Sequence, residues 1–207
     1  EDAMIQTPAS AFRRGTLAML ATALLSGCVA PVGPVEVNRF HVADTGALGH
    51  GTIRVEPAAG QPDDMEFRAF AGAVARELAR VGYVEPLPGG GSGDQVAVLV
   101  LDRRHLQPAR AGSPVSVGVG GNAGSYGSGV GVGIGIDLSG PPPELVETRM
   151  TVTIRTRAGG AALWEGRAAF TVRADSPMAQ TSLGSAKMAE ALFKGFPGQS
   201  GETILVK

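Results

Sequence analysis

The chain has 207 residues, with 18 Lys and Arg against 19 Asp and Glu, for a formal net charge of −1. That near-neutral balance argues against a nucleic-acid binder, which carries a basic face. The length suits one domain with a sizeable core, and a single cysteine excludes a disulfide within the chain.

The first stretch reads as a secretory leader. Arg13 and Arg14 supply positive charge, Leu17 to Leu25 form an apolar run, and Ser26 and Gly27 are small. Nine helical residues rise only about 14 Å against a hydrocarbon core of roughly 30 Å, so the run is too short to span a membrane. Glu1 and Asp2 are acidic and out of place in a leader, which makes Met4 the expected start.

Leu25-Ser26-Gly27-Cys28 is similar to the lipobox of bacterial lipoproteins. That resemblance implies lipid on the Cys28 sulfur, cleavage between Gly27 and Cys28, and acylation of the new amine. The other reading is an ordinary buried thiol in an N-terminal helix. One acyl chain anchors only marginally and two or more hold firmly, at about 0.8 kcal/mol per buried methylene. Val29 stands where Asp tends to retain lipoproteins in the inner membrane, which resembles outer-membrane sorting. Pro31, Gly33 and Pro34 make a short, partly stiff spacer. The expected organisation is a signal peptide over 1–27, a lipidated tether over 28–34 and one periplasmic domain over 35–207.

Within that domain, Val35 to Val42 and Thr52 to Val55 are β-branched runs that predict strands. Asp63, with Glu66 three residues on, has the spacing of a capping box. Phe67, Phe70, Val74, Leu78 and Val81 then recur at helical steps on one face, and Gly82 stops the helix. Gln95 to Leu101 is nearly continuous apolar sequence and predicts a central strand buried on both sides.

Residues 115–138 form a glycine-rich tract. Val115, Val117 and Val119, then Val130, Val132, Ile134, Ile136 and Leu138, alternate with Gly or Ser, apart from Asp137. The period of two predicts two strands with a turn over Asn122 to Ser128. No lysine follows for a phosphate loop, and the loose Gly118-Val119-Gly120-Gly121-Asn122-Ala123 match is not followed by helical sequence. The tract reads either as a loosely paired hairpin beside the sheet or as an assembly or membrane element. A lone hairpin cannot cross a bilayer, so the second reading needs several copies closing a barrel.

Val146 to Arg157 alternates, with Val146, Thr148, Met150, Val152, Ile154 and Thr156 facing one way. Ala158 to Ala161 turns the chain, and Trp164, Ala168, Phe170 and Val172 continue one face of the returning strand. Arg149, Arg155, Glu165, Arg167 and Arg173 fall on the solvated side. Ser176-Pro177 opens a second helix carrying Leu183, Ala186, Met188, Ala189, Leu192 and Phe193. Gly195 to Gly198 ends it, and Thr203 to Val206 adds an edge strand. The fold class is α+β, with an antiparallel or mixed sheet of about five to six strands and two helices on one face.

For chemistry the sequence offers little. His41, His50 and His105 lack metal-ligand spacing, and no G-x-S-x-G elbow occurs. Asp63-Asp64 is read as helix capping, and Asp102-Arg103-Arg104-His105 as a charged loop after a buried strand. No catalytic, cofactor-binding or metal-ligating residue is expected.

Several of these pieces together resemble the lipoprotein family known as domain of unknown function 4136. They are the lipobox at Cys28, Leu78-Ala79-Arg80-Val81-Gly82-Tyr83, the glycine-rich middle, Leu163-Trp164-Glu165-Gly166 and Phe193-Lys194-Gly195-Phe196-Pro197. The resemblance covers about residues 35 to 198 and departs before the first helix, where an aromatic-rich strand is lacking. It implies an envelope lipoprotein of a two-membrane bacterium and supplies no catalytic residues. The expected function is a non-enzymatic one at the periplasmic face of the outer membrane, with membrane lipid held through Cys28 and an envelope protein or a second copy as partner. The rivals are an oligomeric secretion or pore component and a periplasmic hydrolase.

Overall fold

The computed structural model describes residues 32–87, 93–109, 115–124, 127–136, 140–158 and 160–207, the two stretches from 115 to 136 as backbone. The elements run β1 (Val35–His41), β2 (Ile53–Pro57), α1 (Met65–Arg80), β3 (Gln95–Leu106), β4 (Val115–Gly124), β5 (Gly127–Ile136), β6 (Leu145–Thr156), β7 (Ala162–Arg173), α2 (Thr181–Phe193) and β8 (Thr203–Val206).

Six strands form one mixed sheet in the order β2-β3-β6-β7-β1-β8, and β4 and β5 pair in a second sheet of their own. Every pairing is antiparallel except β2 with β3. That pair is parallel because α1 lies between the two strands in sequence, and a parallel neighbour needs such a crossover.

Side-chain alternation decides which face the helices cover. In β6, Val146, Met150, Val152 and Ile154 are buried. In β7, Trp164, Ala168, Phe170 and Val172 are buried, and in β1, Val35 and Val37. These residues meet Phe67, Phe70, Val74 and Leu78 of α1 and Met188, Leu192 and Phe193 of α2 in one core. Both helices therefore pack on the same face of the sheet. The other face is wet: Arg149 pairs with Glu147 at 2.8 Å and Arg167 with Glu165 at 2.6 Å, each along its own strand.

Two buried or half-buried arginines tie the helix ends to the sheet. Arg39 projects from β1 and donates to the carbonyls of Ala191 and Leu192, at 3.1 Å each. It satisfies acceptors that the last turn of α2 leaves open. Burial lowers its pKa, with Glu202 acting in the opposite direction. Arg103 joins the other ends, donating to Glu66 of α1, to Thr181 Oγ1 of α2 at 2.9 Å and to the carbonyl of Ala179.

Several sequence expectations are corrected. The run Gln95 to Leu101 is buried on one side only: Gln95, Ala97 and Leu99 are buried, whereas Val100 is 42% exposed. Both helices lie on one face, so neither covers the other face. Asp64, not Asp63, caps α1, its Oδ1 accepting from the Phe67 amide at 2.7 Å. Asp63 pairs with Arg68 at 3.0 Å, and Glu66 reaches Arg103 instead of closing a capping box. Ser176-Pro177 caps a short 3₁₀ turn, Pro177–Ala179, and α2 starts later at Thr181. Residues 102 to 105 continue β3 instead of forming a loop. In the glycine tract the pairing runs on to Gly124 and Gly127, so Asn122 and Ser128 are paired and the turn is shorter than expected. Val115 falls opposite Ile136, Val117 opposite Ile134 and Val119 opposite Val132, with glycine opposite glycine between them.

Candidate functional site

Leu25, Ser26, Gly27 and Cys28 lie outside the described residues. The other singled-out residues are placed, and most are structural. Asp102 pairs with Arg104, whose Nε donates to it at 3.1 Å, and His105 Nδ1 lies 2.7 Å from Glu144. His41 contacts the carbonyls of Val42 and Gly198, at 2.7 and 3.2 Å, and His50 contacts that of Gly46. Among the described residues, no three His, Cys, Asp or Glu side chains stand close enough to hold a metal ion.

Three motifs that read separately in the sequence converge. Trp164 stacks on Phe193 with centroids 5.4 Å apart and meets Phe196 at 5.3 Å. Tyr83 meets Phe196 edge-on at 6.3 Å. The indole N–H donates to the Pro197 carbonyl at 3.0 Å. The Tyr83 hydroxyl donates to Gln95 Oε1 at 3.3 Å, and Gln95 in turn donates to the Ala47 carbonyl at 2.9 Å. Burial pushes the Tyr83 phenol up, away from ionisation. The cluster is core, with every polar atom named here bonded.

What remains for binding is surface shape. One depression of about 450 Å³ lies over the ends of β1 and β7, lined by Phe40, Val42, Leu163 and Arg167 among others. Phe40 is half-exposed there, with the Arg167 guanidinium 5.8 Å from its ring centre. That surface is open and shallow.

The second is a deeper groove of about 210 Å³ between β2 and α1. Its strand side is Ile53, Arg54 and Val55, and its helix side is Ala71, Gly72, Ala75 and Ala79. Leu78 and Tyr83 line it from the core, and Glu85 lines it where the chain leaves α1. The groove exists because this stripe of α1 carries only Gly and Ala, which keeps side-chain bulk away from the sheet edge. A Cβ built on Gly72 would meet nothing nearer than the Arg76 guanidinium at 3.7 Å. No spacing in the sequence marks this site, since β2 and α1 are brought together by the crossover.

The turn after α1 is fixed by backbone contact. Gly82 has φ +111°, and a Cβ there would come within 2.2 Å of the Gly49 carbonyl oxygen. Only glycine fits, and the close approach delivers Tyr83 and Val84 alongside Gly51 and Thr52.

No family model matches the chain. A stretch of 62 residues is 37% identical to an uncharacterized protein of Zymomonas mobilis, covering 30% of this chain and 23% of that protein. A solved PDZ domain protein from Parabacteroides distasonis has 10% identity and a TM-score of 0.45, over 92% of this chain and 41% of its own. The PelC dodecamer from Paraburkholderia phytofirmans has 12% identity and a TM-score of 0.38, over 76% of this chain and 96% of its own. These similarities are too low to carry a functional argument, and the candidate site stands on its own geometry.

Proposed function

We propose that this chain is a lipid-anchored envelope lipoprotein at the periplasmic face of the outer membrane, whose domain binds a protein partner and catalyses no reaction. One observation carries the reading: the only cysteine closes Leu25-Ser26-Gly27-Cys28, directly after an apolar run too short to span a bilayer. The fold is compatible, because β1 begins at Val35, immediately after the Pro/Gly spacer. Asp64 caps α1, several other charged side chains form ion pairs such as Arg103 with Glu66, and the groove beside β2 offers a place to dock.

The test is membrane fractionation of wild type and Cys28→Ala. Wild type partitions with outer membranes and its N-terminal peptide carries diacylglycerol and acyl mass; the variant is released to the periplasm. Membrane retention of Cys28→Ala, or an unmodified thiol in native protein, overturns the anchor.

A second reading, an oligomeric secretion or pore component, draws on β4 and β5. They pair over their whole length in a sheet separate from the main one. A strict monomer after removal of lipid ends that reading.

A further inference from the structure

We propose that the groove between β2 and α1 takes an extended peptide of another protein as an added strand, parallel to β2, with an apolar side chain in the cleft and a basic residue beside Glu85. The inference rests on the domain being a binding module and is independent of the lipid anchor.

The backbone of β2 sets the geometry. Gln95 N–H donates to the Thr52 carbonyl at 3.0 Å, and Ala58 N–H to the Leu99 carbonyl at 3.1 Å. Even-numbered positions of β2 therefore face β3, and odd-numbered positions face outward. Among the described residues, no strand lies beyond β2.

The outward edge is already used once, at its start. Ile53 N–H donates to the Val84 carbonyl and Val84 N–H to the Gly51 carbonyl, both at 3.0 Å, in a parallel bridge. Continuing that ladder by the parallel rule leaves three outward groups: the Ile53 carbonyl, the Val55 N–H and the Val55 carbonyl. Pro57 has no N–H and closes the ladder. Only another extended backbone matches groups at this repeat, which is the mode of strand addition.

Register then assigns the side chains. A peptide residue opposite Arg54 takes the first two bonds and points to the solvent face, as Val84 does opposite Thr52. The next residue stands opposite Val55 and points toward α1, into the space left by Ala71, Gly72, Ala75 and Ala79. An apolar side chain suits that lining. The residue before the ladder lies next to Glu85, whose exposed carboxylate favours a cation there.

The experiment is panning of a random peptide library on the purified full chain, followed by fluorescence polarisation with labelled synthetic copies of the enriched peptides. The enriched set carries Lys or Arg two residues before an apolar residue. Gly72→Leu fills the cleft and weakens these peptides by about tenfold or more. Glu85→Lys shifts the enriched set from basic to acidic. Circular dichroism confirms that both variants fold, and hydrogen exchange shows the Val55 amide newly protected when peptide is bound. Failure to enrich any peptide, or unchanged affinity in both variants, overturns the proposal. A dimer that Gly72→Leu dissolves also overturns it, giving the groove to a second copy of this chain. Cys28→Ala fractionation reports on the anchor alone, so the two readings fail separately.

Discussion

Replacing Gly166 by alanine tests how the core is held together. Gly166 sits between Trp164 and Ala168 on the helix-facing side of β7, and the indole lies across it. A Cβ at this position would come within 2.2 Å of Trp164 Cη2 and within 2.8 Å of Trp164 Cζ2 and Leu192 Cδ1. Carbon atoms prefer about 3.5–4.0 Å, so the ring has to move. It has nowhere easy to go, being stacked on Phe193, tilted against Phe196 and bonded to the Pro197 carbonyl. Overpacking a tight core costs about 1–3 kcal/mol. Losing the indole hydrogen bond adds about 1 kcal/mol. Gly166→Ala is therefore expected to destabilise the domain by about 2–4 kcal/mol.

Trp164 is the chain's one tryptophan, so its emission reports on that site directly. In a urea titration with a slope of roughly 2 kcal/mol per molar, the midpoint falls by about 1–2 M. The native emission also shifts to the red as the indole leaves its apolar slot. A midpoint within about 0.2 M of wild type, with unchanged native emission, refutes the argument that this glycine exists to seat the ring.

Two further outcomes are expected. Asp64→Ala removes the side-chain cap of α1 and costs about 1 kcal/mol, whereas Asp63→Ala breaks only an exposed ion pair with Arg68 and stays within about 0.5 kcal/mol; urea midpoints of the two variants measure the difference, and equal losses contradict the cap assignment. Asp94 Oδ2 accepts from Thr52 Oγ1 at 2.6 Å and from its amide at 3.3 Å, which holds the carboxyl below the usual carboxylate range. A depressed folded pKa contributes stability above the unfolded value of about 4 and loses it as pH falls through the folded value. Wild type is thus expected to exceed Asp94→Asn in stability near neutral pH and to converge with it in acid; a gap that stays constant down to about pH 2 contradicts this.

The sequence by itself determined the elements whose signals are local. The alternation from Val146 to Thr156 needs only the two-residue period of a strand, and Phe67, Phe70, Val74 and Leu78 need only the helical repeat. The proposed anchor rests on equally local signals, since Leu25-Ser26-Gly27-Cys28 and the apolar run before it are contiguous. The tertiary structure decided everything that depends on residues far apart. Whether Val100 is covered depends on where both helices pack, and an apolar run cannot say which of its faces meets a layer. Both Asp63 and Asp64 are able to cap α1, and the choice follows from where the helix starts and where Glu66 finds Arg103. The parallel pairing of β2 with β3, and with it the groove, comes from chain ends that meet only after α1 has crossed over. Periodicity is set by backbone geometry within a few residues, but partners, covered faces and clefts are set by packing across the whole chain.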